Sequence, residues 1–154
     1  MNPFDPKAAL LAKHAQHVVL VHFPIALFMT GVLFDLVARW TKEVTRQTTL
    51  AAASRLNILA AAVSVLPTLA TGIAAWEWQL GGHKLKGMLL LHVVLGSVSG
   101  LLICLVASLH FGRSEASGSS SPGGYYLALE ILTVVVVAFT AHVGGFVSGV
   151  NVPG

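Results

Sequence analysis

The chain carries seven histidines against nine lysines and arginines and six aspartates and glutamates. Imidazole is the commonest metal-ligating side chain and the one that titrates nearest neutral pH. His22, His92 and His142 stand inside long apolar segments. An ionisable group is expensive there, and several of them from different helices mark a site. The chemistry of such a set is ligation of a metal, either a bare ion or the iron of a haem. Hydrolysis is a poor match, because a catalytic zinc wants a carboxylate base beside it. The nearest acids at that end are Asp5 and Glu77. No residue is assigned a catalytic role, and an electron-transfer protein or subunit is expected rather than a stand-alone enzyme.

The elements that must position these histidines follow from composition. The chain has 154 residues, 55% hydrophobic and only 10% charged, whereas a soluble domain carries about 25% charged residues. A membrane-spanning helix needs about 20 apolar residues, and four segments qualify: 17–40, 50–76, 86–111 and 124–147. Trp40, Trp76, Trp78, Tyr125 and Tyr126 fall at their ends, where amphipathic rings settle among lipid headgroups. Short connections make sequential helices antiparallel neighbours. The fold expected is therefore all-α, a single domain over residues 1–154 forming an integral-membrane up-down-up-down four-helix bundle in contact with membrane lipids. The Ser/Gly-rich stretch Gly112–Gly124 reads as a flexible loop. The first sixteen residues lack the pattern of a cleaved secretory signal, so the first span is expected to serve as an uncleaved anchor. Cys104 is alone and forms no intramolecular disulfide. The basic residues form no stripe, which argues against nucleic acid as a partner.

Four spans put both termini on one face, here called side A. His14, His17, His22, His83, His92 and His142 belong to side A, and His110 to the opposite side B. At 1.5 Å of rise per residue, His22, His92 and His142 each lie about 7–9 Å inside side A, which predicts one layer of imidazoles. Side B carries Arg39, Lys42, Arg46, Arg55 and Arg113, against Lys7, Lys13, Lys84 and Lys86 on side A. The positive-inside rule then puts side B in the cytoplasm. A bacterial inner-membrane location follows, with both termini periplasmic.

His92, Gly96 and Gly100 recur every four residues and share a helix face. That face reads either as a groove for a flat macrocycle beneath His92 or as close helix packing. Gly145 offers a smaller version beside His142. His17 and His22 stand about 140° apart on an ideal helix, which makes His17 a secondary candidate. Pro24 removes the bond to the Leu20 carbonyl and Pro67 the bond to the Val63 carbonyl, with Ser64, Thr68 and Thr71 nearby to re-satisfy backbone groups. Asp35 is four residues from Arg39, and Glu130 is expected to meet Arg55, both as structural pairs.

The run from His17 through His22-Phe23-Pro24 to Leu27 resembles the opening block of a bacterial membrane-domain family of unknown function (number 2231). The likeness continues at Thr71-Gly72 with Trp76, at His92, and at His142-Val143-Gly144-Gly145. It extends from about Lys13 to Val150, nearly the whole chain. The resemblance implies a four-helix integral membrane protein. It also implies electron transfer, because some members are joined to cytochrome c-like or Rieske-type iron–sulfur domains. Val18, Ala75 and Phe146 depart from the family pattern, the last two at positions where an acid is common. Without those carboxylates, a haem-like site suits the remaining histidines best.

The leading expectation is a membrane b-type-haem-binding electron-transfer module with histidine axial ligands drawn from His22, His92, His142 and His17. Gly96, Gly100 and Gly145 would line the cofactor, and a quinol, a cytochrome c-like protein or an iron–sulfur protein would exchange electrons with it. The alternatives are a copper or zinc site built on His22, His92 and His142, for binding or transport, and a non-catalytic accessory subunit of a membrane complex.

Overall fold

The structure, a computed structural model, describes residues 15–79, 81, 82, 84–116 and 124–149. His14 and His83, the residues that precede 15 and most of the Ser/Gly-rich stretch lie outside the described residues. The helices run α1 (Ala15–Leu20), α2 (His22–Trp40), α3 (Val44–Gln79), α4 (Gly87–Ala116) and α5 (Gly124–Val147). Among the described residues, four helical stretches are long and apolar enough to cross a membrane: Gln16–Trp40, Val44–Trp78, Gly87–Gly112 and Gly124–Val147. The protein is an all-α helical membrane bundle.

Helices α1 and α2 make one span with a local break at Val21. Pro24 has no N–H to offer the Leu20 carbonyl, and the hydroxyl of Thr68 on α3 lies 3.2 Å from that carbonyl instead. The backbone at Val21 stays helical, with φ −61° and ψ −26°, and its N–H still bonds the His17 carbonyl at 2.9 Å. α3 starts at Val44, earlier than apolarity alone predicts. Its polar first turns are held in part by Thr48 and Thr49, whose hydroxyls each reach the Thr45 carbonyl at 2.9 Å. Its 36 residues reach about 54 Å, well beyond a hydrocarbon core of about 30 Å. Beyond its end Gly81 and Gly82 take φ of 56° and 60°, a left-handed conformation that glycine adopts without a Cβ clash.

Packing runs in a ring: α2 against α3, α3 against α4, α4 against α5, and α5 back against α2, while α1 rests on α3 and α2. The core draws on every span through Phe28, Val32, Ile58, Val65, Ile103, Val106 and Val137. Apolar burial does little to associate helices in lipid, so close fit carries the association. Two glycines supply it. A Cβ on Gly31 would stand 2.7 Å from Ile58 Cγ1, and one on Gly100 would stand 3.0 Å from Val65 Cγ1. The outward faces are apolar: Leu33, Leu66, Leu101 and Val135 are all exposed, which is the surface that lipid covers.

Candidate functional site

Among the described residues, His17 and His92 are the histidines that this fold brings together. Their ring centroids are 6.5 Å apart with planes at 77°, an edge-to-face meeting, and both side chains are half-buried. His17 comes from α1 and His92 from α4, so the contact crosses from one helix pair to the other.

His17 is fixed from α3. Its Nδ1 lies 3.1 Å from the Thr68 carbonyl, and a carbonyl only accepts, so Nδ1 carries the proton and Nε2 keeps its lone pair in the neutral ring. The Thr71 hydroxyl lies 3.5 Å from the same Nδ1, while donating to the Pro67 carbonyl at 2.8 Å or the Thr68 carbonyl at 3.0 Å. Gly72 completes the seat, since a Cβ there would stand 3.0 Å from His17 Cε1. The Pro67 turn, which the sequence marks only by the lost bond to the Val63 carbonyl, is thus the support of a histidine. Its three hydroxyls serve other carbonyls than Val63's: Ser64 reaches Ala61 at 2.7 Å, and Thr68 reaches Ser64 at 2.8 Å.

His92 repeats the arrangement on α5. A Cβ on Gly144 would stand 2.9 Å from His92 Cε1. His92 Nδ1 is buried with no hydrogen-bond partner. The Thr140 hydroxyl lies 2.8 Å from that of Ser99 on α4, tying the pair together below the ring. Each imidazole therefore rests on a Thr-x-x-x-Gly turn of the following span, Thr68 to Gly72 and Thr140 to Gly144. Sequence reading passed over this pattern because the turns alone share only two letters.

The predicted three-histidine layer does not assemble. His22 and His142 are exposed, whereas His92 is half-buried. With the helix nearly continuous through Val21, turning His17 inward turns His22 about 140° away, where its Nδ1 donates to the Val18 carbonyl at 2.6 Å. On α5 the inward face belongs to Thr140 and Val143, and His142 lies against Phe146, centroids 5.1 Å apart. The direction each histidine takes around its helix, which distance along the chain does not fix, separates them. Among the described residues no three His, Cys, Asp or Glu side chains gather in a way that could hold a metal ion, so His22, His92 and His142 do not form the expected ion site.

The glycine groove changes too. Gly100 is filled by Val65 and Leu69 of α3, so it is helix packing. Gly96 is roomier, its nearest neighbour being the Thr140 methyl, 4.0 Å from where a Cβ would sit. Gly145 is half-buried on α5, but it is the adjacent Gly144 that lies under a histidine.

At side B, Asp35 and Arg39 pair at 2.8 Å as expected. Glu130 does not meet Arg55. It is 0% exposed and lies 2.6 Å from Nε2 of His110. The Arg55 guanidinium instead stands 6.0 Å from the centre of the Phe111 ring. His110 is eighteen residues from His92 along α4, and Glu130 is ten residues from Thr140 and fourteen from Gly144 along α5.

No curated protein and no solved structure matches this chain. The sequence model of the family described as predicted membrane protein DUF2231 matches residues 13–151, which takes in every helix above, and the chain belongs to that family.

Proposed function

We propose that this protein is a membrane electron-transfer module that holds a b-type haem between His17 and His92. The observation that carries the reading is the pair itself: two imidazoles from different helix pairs, 6.5 Å between centroids, with His17 Nδ1 committed to a carbonyl and His92 Nδ1 buried without a partner. Were a haem bound here, His17 and His92 would be the residues to hold its iron, His17 through the Nε2 that the Thr68 bond leaves with its lone pair. Bare zinc takes three or four protein ligands. A haem supplies four nitrogens of its own and asks the protein for one or two, which is the donor set present.

When bound, the haem supplies one-electron iron chemistry. The chain contributes orientation and environment. The Thr68 carbonyl fixes the His17 tautomer and ring direction, as an outer partner does for a ligating histidine. Gly72 and Gly144 let each ring sit close against its supporting helix. Partial burial lowers the local dielectric, one of the levers on haem potential. The redox partners in this reading are a quinol in the membrane and a cytochrome c-like or iron–sulfur protein at side A. The setting is a bacterial inner membrane with side A periplasmic.

The test is the reduced-minus-oxidised visible spectrum of the protein purified in mild detergent, before and after addition of haemin. A sharp Soret shift and a resolved α-band are expected in the native protein and in His22→Ala, His142→Ala and His110→Ala. Both should be lost in His17→Ala and His92→Ala. A native protein that stays colourless with haemin overturns the proposal, and retention of copper or zinc by that protein would give the pair to a bare ion.

A further inference from the structure

The side-B half of the bundle holds a second polar centre that the haem reading does not use. Glu130 lies about 9 Å in from the start of α5 and is 0% exposed. Its Oε1 is 2.6 Å from His110 Nε2, and its Oε2 is buried with no hydrogen-bond partner. His110 stands near Gly112, where the third span ends, and keeps 10% of its side-chain surface exposed. One member of the pair touches the outside and the other is sealed.

Every neighbouring helix contributes to the surroundings. From α2, Asp35 and Arg39 act on Glu130 with opposite sign while paired to each other at 2.8 Å. From α3, the Arg55 guanidinium stands 6.0 Å from the centre of the ring of Phe111, the residue after His110. α5 adds the half-buried phenol of Tyr126, one turn before Glu130. A permanent ion pair here would leave a charged Oε2 with no donor in a sealed site, and burying an incompletely satisfied charge is costly. Nε2 and Oε1 stand 2.6 Å apart, within hydrogen-bond reach for proton transfer between them.

We propose that Glu130 and His110 form an internal proton-binding site, loaded from water on side B through His110. On loading, a proton from water binds Nδ1 of the imidazole, the Nε2–H bond breaks and the Oε1–H bond forms. No electron moves, and the pair goes from one negative charge to none. This rests on the buried Glu–His geometry alone and is independent of any cofactor at side A.

The experiment is infrared spectroscopy of the full chain in lipid nanodiscs, titrated through neutral pH in H2O and D2O. A carboxylic-acid C=O band that grows as pH falls, shifts in D2O and vanishes in Glu130→Gln is expected. His110→Phe should keep the acid but slow its hydrogen–deuterium exchange about a hundredfold, the scale of a lost proton relay. A native protein with no such band at any pH where it stays folded overturns the proposal, as does native-rate exchange in His110→Phe. Should Glu130→Gln fail to insert, Glu130→Asp must move the band, and an unmoved band belongs to another acid and overturns the assignment.

Discussion

His17 meets His92 edge-to-face at 6.5 Å, and behind each ring lies a glycine whose Cβ would strike it, Gly72 at 3.0 Å and Gly144 at 2.9 Å. The two helix pairs thus bring the same local device to their shared end: a histidine on the leading span and a Thr-x-x-x-Gly turn on the following one. His17 Nδ1 bonds a carbonyl, whereas His92 Nδ1 is buried with no hydrogen-bond partner.

Gly144→Ala and Gly72→Ala should act on the rings before they act on the fold. The new methyl meets the far end of an imidazole, so the side chain swings rather than the helices parting. Haem retention should fall in both variants while helix content by circular dichroism stays native. Gly96→Ala is the control, because its methyl meets only the Thr140 methyl at 4.0 Å. Native haem content in Gly144→Ala would mean that the position of the His92 ring does not matter.

How far the sequence reached depends on what each signal encodes. Span number and boundaries follow from long apolar runs, and they agree with the helices to within a few residues except at the polar start of α3. The Asp35–Arg39 bond is local to one helix and was equally legible. Depth within a span is also a one-dimensional quantity, which is why His22, His92 and His142 looked like a layer. Direction around the helix is not. The face that α1 turns to α3 is decided by the local loss of a bond at Pro24 together with the Thr68 hydroxyl at the Leu20 carbonyl and the Gly72 notch, both of them contacts across more than forty residues. Glu130 finding His110 rather than Arg55 is the same kind of long-range choice.

The Asp35–Arg39 bond should reward removal of both partners over removal of one. Its side chains are 5% and 16% exposed, so Asp35→Leu alone leaves a guanidinium in a poorly solvated place and should cost about 3–5 kcal/mol. The double variant Asp35→Leu/Arg39→Leu should recover most of that loss. Thermal unfolding in detergent reads the comparison, and additive losses would show that the two side chains act independently.

Topology gives a clean outcome. With four spans, a reporter at the C-terminus and one inserted at Ser119 should lie on opposite sides, the C-terminal one periplasmic. Equal signals would remove the four-span arrangement, and opposite signals in the reversed sense would change only the orientation.

Gly31 offers the sharpest test of how the bundle is held. It is buried on α2, and a Cβ would stand 2.7 Å from Ile58 Cγ1 and 3.2 Å from the Ser54 carbonyl of α3. The carbonyl is backbone and cannot swing aside, so Gly31→Ala must push α2 and α3 apart. Overpacking of this kind costs about 1–3 kcal/mol, and the melting temperature in detergent should fall accordingly. Ile58→Ala alone should also destabilise, by opening a cavity against Phe28 and Val32, its neighbours in the core. Combined, the two changes should be less harmful than their sum, because the smaller residue at 58 relieves the side-chain clash while the carbonyl clash persists. Strict additivity would mean that the close approach of α2 to α3 at this notch is not what limits their packing.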